Sequence, residues 1–234
     1  MTYSKQTKLL CILMLSTFAT VIHTTYLNKE LFRCIYRANV WGDPYSRSGP
    51  GSNLEQTCAI REMLPKLIIA YNITSILDAP CGDFYWMNYT DLSHIQQYIG
   101  ADIVDELIKE NEDKYTDTNK QFMVCDIIRN ELPRTDLILC RDCLPHLPYI
   151  DIALAINNFK KSGSTYLLTS HYPHVQENQD LSHEALVSLW RFRAINFEKP
   201  PFQFPSPLFT LEEGFNGKHL ALWRIADLPT FMFN

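Results

Sequence analysis

The chain predicts an α/β fold: an open, mostly parallel sheet with an antiparallel edge strand and helices on both faces. Three observations carry that expectation. The run Ser75-Ile76-Leu77-Asp78-Ala79-Pro80-Cys81-Gly82-Asp83-Phe84 is apolar, ends in an acid, turns through Pro-Cys-Gly and enters an aromatic segment. A parallel strand reads this way when it stops at a ligand-binding loop. Asp102 and Asp126 close the next two strand-like runs, Tyr98 to Asp102 and Phe122 to Asp126. Strand-like and helix-spaced segments then alternate, which implies right-handed crossovers and parallel pairing. Three acids at successive strand ends share the carboxyl edge of one sheet, where open α/β sheets bind nucleotides.

Each element has its own signal. Residues 28–52 form a connector rich in Gly, Pro, Arg and Ser that carries Trp41-Gly42 and Ser46 to Ser52. Ser52 and Glu55 read as a capping box for a helix with Ile60, Met63, Leu64, Leu67 and Ile68 on one face. Pro65 should kink that helix or end its first part. Thr74 to Asp78 is the first strand, and a helix is expected from about Phe84. Gln97 to Asp102 is the second strand, followed by a charged helix with Val104, Leu107 and Ile108 along one side. Gln121 to Asp126 is the third.

Asp136 to Cys140 does not alternate, so it reads as a fourth strand buried on both faces. Ile152, Ala155, Ile156 and Phe159 mark a helix that Gly163 should stop. Thr165 to Ser170 is the fifth strand. A Pro- and Phe-rich insertion follows over 171–207, and Lys218 to Ile225 alternates as a late antiparallel edge strand.

The bulk numbers exclude several classes. At 234 residues there is room for one well-buried domain. A formal charge of -5 argues against general nucleic-acid binding, which needs clustered Lys and Arg. Seven cysteines suit buried thiols better than a disulfide framework. Cys140-Arg-Asp-Cys143 matches C-x-x-C, but no second pair or His cluster completes a metal site, so no metal is expected.

Lys5 and Lys8 precede an uncharged run from Leu9 to Ile22, which His23 interrupts. Residues 1–27 thus read as a hydrophobic leader: a signal peptide, a short signal anchor touching the membrane through 9–27, or an apolar helix packed on the domain. The first two place the protein in the secretory pathway or at a membrane, the last in the cytoplasm. Two tripeptides, Asn72-Ile-Thr and Asn88-Tyr-Thr, match glycosylation sequons that matter only if the domain is luminal. The remaining divisions are a connector or lid over 28–52 and a ligand-binding domain over 53–234. A monomer is expected.

The order of elements, with acids ending the first three strands, resembles the class I S-adenosylmethionine-dependent methyltransferases over roughly residues 40 to 226. Asp78-Ala-Pro-Cys-Gly-Asp is similar to the family's first motif and Asp136 to Leu147 to its fourth. Ser-Gly-Pro-Gly-Ser, Pro-Cys-Gly-Asp-Phe and Cys-Arg-Asp-Cys-Leu-x-His-Leu together resemble a small subgroup. The resemblance implies a Rossmann-like methyltransferase sheet and S-adenosyl-L-methionine as cofactor. It places the cofactor's amino-acid end over Asp78, Pro80, Cys81 and Gly82, its ribose on Asp102 with Ile103 beside it, and its adenine near Asp126 and Ile127. Cys140 and Arg141 join that set, Arg141 pairing with the cofactor's carboxylate or with a neighbouring acid, whereas Trp41 and Gly49 belong to a segment that is a lid over the cofactor, part of the acceptor wall, or a turn-rich loop before a capped helix. A carboxylate accepts two hydrogen bonds at once, which suits the vicinal diol expected at Asp102.

The family's usual third loop glycine is Phe84 here, so the bulky residues there either change the entry to the first helix or wall the methyl group: Trp86 and Met87 pack that helix on the sheet, or Phe84 and Trp86 face the sulfonium. His146 is the first candidate for a catalytic base and Asp142 its orienting partner or an acceptor contact. If the segment is helical, their spacing of four puts both on one face. His171 and His174 are second choices. The acceptor is an unidentified small molecule or protein side chain. A non-catalytic, cofactor- or partner-binding member of the fold is the alternative, and a nicotinamide oxidoreductase ranks lower because the full G-x-G-x-x-G turn is missing.

Overall fold

Short apolar runs without alternation need cover on both sides, and the sheet they build is sandwiched between helices. The computed structural model describes residues 28–181 and 191–232. Its strands are β1 (Ser75–Asp78), β2 (Gln97–Asp102), β3 (Lys120–Val124), β4 (Leu137–Cys140), β5 (Tyr166–His171), β6 (Phe209–Glu212) and β7 (His219–Arg224). They form one sheet in the order β3-β2-β1-β4-β5-β7-β6. The first five pair in parallel, whereas β7 runs antiparallel to both β5 and β6. The late strand expected at the edge is β7, but β6 covers it and holds the edge itself. Phe209–Glu212 carries no clear strand signal in sequence, because it is only four residues long and half-buried at best.

Residue parity assigns the two faces. Leu77, Ile99, Ile138, Leu167 and Ala221 meet Ile152, Ala155, Ile156 and Phe159 of helix α4 (Tyr149–Lys161). Their sequence neighbours Ile76, Tyr98, Leu137, Leu168 and Leu222 face the other way, against α2 (Cys58–Ala70) and α3 (Asp105–Tyr115). Helix α1 takes in residues 28–38. Arg33 of α1 donates to Asp105 at 2.9 Å, and Arg37 pairs with Glu106, so both bind the acidic first turn of α3. Acids there also complement the positive end of the helix.

Several local expectations are corrected. No helix follows β1: Phe84 has φ 57, a left-handed conformation that cannot start one, and only a 3-10 turn forms at Met87–Tyr89. The crossover from β3 to β4 also lacks a helix, so the βα alternation is incomplete. The Ser52–Glu55 capping box is absent. Ser52 ends the 3-10 turn Pro50–Ser52, Asn53 Oδ1 accepts from Gln56 N at 2.9 Å, and α2 starts at Cys58. Pro65 does not end α2, whose stripe Ile60, Leu64, Leu67 and Ile68 stays buried on the sheet. Gly163, at φ 72, follows the end of α4 as expected.

In the 171–207 insertion, Phe197 and Phe204 pack on Trp223 of β7 at 6.3 and 5.4 Å, and Trp223 Nε1 donates to Pro205 O at 2.8 Å. Residues 182–190, with Trp190, and the leader reading of 1–27 lie outside the described residues. Among the described residues no helix is long and apolar enough to cross a membrane.

Candidate functional site

Parallel strands deliver every one of their carboxyl ends to the same edge, and a cavity of about 590 Å³ opens there. Across the sheet it meets Asp126 and Ile127 after β3, Asp102 and Ile103 after β2, and Asp78 to Gly82 after β1. Beyond them come Arg141, Asp142 and His146 after β4, Tyr172 after β5 and Lys218 before β7. Helix α1, through Phe32 and Tyr36, and the connector, through Trp41, Gly49 and Gly51, supply further walls.

The three strand-end acids differ in what already occupies them. Asp102 Oδ1 accepts from Val104 N at 3.0 Å and Oδ2 from Gly82 N at 3.2 Å, which fixes its carboxylate plane and leaves each oxygen a lone pair. Burial pushes its pKa up to about 6, against the pull of these N–H groups. Asp78 accepts from the buried Tyr98 hydroxyl, and burial pushes its carboxyl up to about 7 against Tyr98 and Arg141. Asp126 closes its own turn: Oδ1 accepts from Ile128 N at 2.9 Å and Oδ2 from Arg129 at 3.1 Å.

The loop after β1 is held from two sides. Asn111 Nδ2 of α3 donates to Gly82 O at 2.8 Å. Gly82 has φ 53, and a Cβ there would lie 2.2 Å from Ser48 Oγ, so only glycine admits the connector at this distance. Asp83 accepts from Ser46 Oγ at 3.1 Å, Arg47 N at 2.7 Å and Ser48 Oγ at 3.2 Å. The stretch 46–52 is therefore a strap tied onto the loop. Trp41 lies under it, because a Cβ on Gly49 would come within 2.9 Å of Trp41 Cβ.

Beside the loop sits a buried charge cluster. Arg141 Nη2 donates to Glu213 Oε2 at 2.6 Å, and Lys218 Nζ bonds Asp142 Oδ2 at 2.8 Å and approaches Glu213 Oε2 at 3.1 Å. Burial alone would raise the pKa of Asp142; Arg141 and Lys218 outweigh it and hold the carboxyl well below the usual range. Arg141 also lies 5.7 Å from the Trp86 ring.

His146 makes no hydrogen bond to that cluster, although the charge of Asp142 reaches it and favours its protonated form. Asp142 has φ 51 and His146 ends a 3-10 turn, Leu144–His146, so the expected shared helical face does not exist. Instead His146 Nδ1 bonds the carbonyl of Arg191. A carbonyl only accepts, so Nδ1 carries the hydrogen and Nε2 keeps its lone pair. Burial lowers the pKa of His146 below its usual value. Trp41 and Phe192 flank its ring at 6.0 and 5.6 Å.

Of the residues expected at the site, Cys140 does not line the cavity: it is fully buried in the core on the α4 face of the sheet. Phe84 is turned away too, with Tyr98, Tyr115 and Phe122 around it at 5.2, 5.0 and 5.3 Å, and Met87 is buried with them. Trp86 does line the cavity. His171 is structural: its Nδ1 accepts from Phe197 N at 3.3 Å, Glu198 lies 3.5 Å away, and burial takes its pKa down to about 4. His174 sits against Gly217, outside the cavity. Glu213, Lys218 and the α1 residues carry no site expectation from sequence; Ser48 and Asp83 lie in the expected lid and first motif, but nothing in the sequence announces the bond between them. For Glu213 and Lys218 the signal is slight: Glu213 directly follows β6 and Lys218 directly precedes β7, at the two ends of the hairpin loop.

No family model matches the chain, and no curated protein matches it. Solved structures do match in fold. The PH0226 protein from Pyrococcus horikoshii OT3 is similar at TM-score 0.55 and 15% identity, over 78% of this chain and 99% of that one. Magnesium protoporphyrin IX methyltransferase (ChlM) from Synechocystis PCC 6803, with bound SAM, is similar at TM-score 0.52 and 12% identity, over 85% and 94%. Its structure with bound SAH gives 0.51 and 14%, over 83% and 93%. At such identities the likeness is one of fold, and the fold is the Rossmann-like class I methyltransferase fold.

Proposed function

We propose that this protein binds S-adenosyl-L-methionine across the carboxyl edge of its sheet and transfers the methyl group to an acceptor held beside His146. One observation carries the reading: a single cavity gathers Asp102, with both oxygens pre-oriented, the Asp78–Gly82 loop, and a histidine with a free Nε2.

The residues fit that group. Asp102 has the spare lone pairs to accept from a vicinal diol. Asp78, with a pKa near neutrality, is ready to ionise beside an ammonium group. Asp126 is already engaged by Ile128 and Arg129, so its part is to shape the adenine end with Ile127. Trp86, Arg141 and the strap residues Trp41 and Gly49 border the middle of the cavity. The cofactor supplies an electrophilic methyl on a cationic sulfur. This chain's share is positioning and exclusion of water, which account for much of the barrier in such transfers. His146 Nε2 then takes the proton an acceptor gives up. Asp142, locked by Lys218 and Ser170, holds the floor of the acceptor side and does not orient His146.

The test is isothermal titration with S-adenosylhomocysteine on wild type and Asp102→Ala. Saturable heat in the wild type and its loss in the variant support the reading. No heat at millimolar ligand would remove it.

A further inference from the structure

We infer that the acceptor end of the cavity is built for a neutral, flat aromatic ring bearing one weakly acidic hydroxyl, a phenol, with Phe192 and Trp41 setting that preference. The inference rests on the cofactor reading above and deepens it.

The walls at that end are rings. Trp41 to His146, His146 to Phe192 and Phe192 to Tyr172 are separated by 6.0, 5.6 and 5.9 Å between centroids, and all four residues line the cavity. Such walls favour a flat apolar body that can stack or meet ring edges. Phe192 is 50% exposed, so its ring is accessible to a ligand entering the cavity it lines.

Charge narrows the chemistry. A cationic amine is disfavoured: a protonated nitrogen has no lone pair to attack the methyl, and the carboxylate at this end, Asp142, is already paired with Arg141 and Lys218. A carboxylate acceptor would seek a cationic clamp, yet Arg141 and Lys218 already bond Glu213 and Asp142, which leaves, among the described residues, a single lining cation, the exposed Arg47 of the strap. A carboxylate also has no proton to lose, which leaves His146 without a task. A phenol matches each point. Its oxygen forms the new O–C bond as the S–C bond breaks, its proton passes to His146 Nε2, and the thioether leaves neutral.

The test uses the full chain with S-adenosylmethionine and five acceptor probes: 4-nitrophenol, 2-naphthol, 7-hydroxycoumarin, benzylamine and benzoate. Release of S-adenosylhomocysteine is read throughout, with loss of phenolate absorbance as a second signal. At least one phenol should exceed benzylamine and benzoate by tenfold or more in kcat/KM, about one decade of selectivity. Phe192→Ala should raise KM for that phenol by about tenfold, leave S-adenosylhomocysteine affinity unchanged, and be rescued by Phe192→Tyr. Turnover of benzylamine or benzoate in preference, or no phenol turnover by protein that still binds S-adenosylhomocysteine, overturns the inference alone. An unchanged KM in Phe192→Ala does the same. Absence of S-adenosylhomocysteine binding overturns the cofactor reading and this inference with it.

Discussion

Ser48 and Asp83 exchange a pair of hydrogen bonds: Ser48 Oγ accepts from Asp83 N at 3.0 Å and donates to Asp83 Oδ1 at 3.2 Å. Two polar groups far apart in sequence thereby hold the strap 46–52 on the loop after β1, with Gly82 leaving the space for it. The strap carries Gly49 and Gly51 into the cavity wall. Asp83→Ala removes a carboxylate that also accepts from Ser46 Oγ and Arg47 N. Charge-assisted bonds of this kind are among the stronger ones, but here they are partly exposed. The variant should fold, melt a few degrees lower, and bind S-adenosylhomocysteine about tenfold more weakly. Calorimetry and a thermal melt check both outcomes; unchanged affinity would make the strap irrelevant to the ligand.

Asp102 and Asp78 should make ligand binding pH-dependent. Their pKa values lie at about 6 and about 7 because burial disfavours the charged forms. A ligand that donates hydrogen bonds to Asp102, or places an ammonium beside Asp78, prefers the ionised carboxylates and lowers both values. Below those values binding must expel protons, so affinity falls as pH drops through 7 and then 6, by up to about tenfold per unit for each group. Above pH 7.5 or so it should level off. Titrations at pH 6 in two buffers of different ionisation enthalpy should reveal proton release. Asp102→Asn should bind weakly with a flatter profile.

How far the sequence could be read follows from the physics of each element. Strands β1, β2, β4 and β5 were legible because they are buried on both faces and so written as apolar runs. Asp78 and Asp102 were legible because they sit at the ends of such runs. Phe84 misled because an aromatic after a glycine loop looks like a helix start, whereas its positive φ turns the ring back into the core. Cys140 misled because the last residue of a strand points to either face, and here it points into the core shared with α4. The Arg141–Glu213 pair was illegible since its partners lie 72 residues apart and only the β6–β7 hairpin brings them together. His146 was picked for its chemistry, but its orienting group is a backbone carbonyl, which no side-chain pattern can announce.

The charge cluster should resist single substitutions badly. Glu213 has a fully buried side chain and meets Arg141 and Lys218. Removing Arg141 leaves an under-compensated carboxylate in the core, and breaking buried pairs from one side costs about 3 to 5 kcal/mol. Arg141→Met should therefore be strongly destabilising. Arg141→Met combined with Glu213→Gln should recover much of that loss, because the stranded charge has gone. Denaturant unfolding of both singles and the double forms a cycle that measures the coupling. Additive effects would mean the cluster is not a unit.

His146→Ala offers the sharpest separation of binding from chemistry. The imidazole is held with its hydrogen on Nδ1 against the Arg191 carbonyl, and burial keeps it neutral at pH 7. A neutral, pre-oriented base typically contributes about 10²- to 10⁴-fold. The variant should lose turnover on that scale while S-adenosylhomocysteine affinity stays within about twofold, since the aromatic neighbours Trp41 and Phe192 remain. Wild-type kcat should also fall as pH drops through a value below 6.5, where the ring takes up a proton and the lone pair is lost. His146→Gln should abolish that acid limb, having no titrating group to replace it. Retention of the limb in His146→Gln, with activity intact, would move the proton acceptor elsewhere in the cavity.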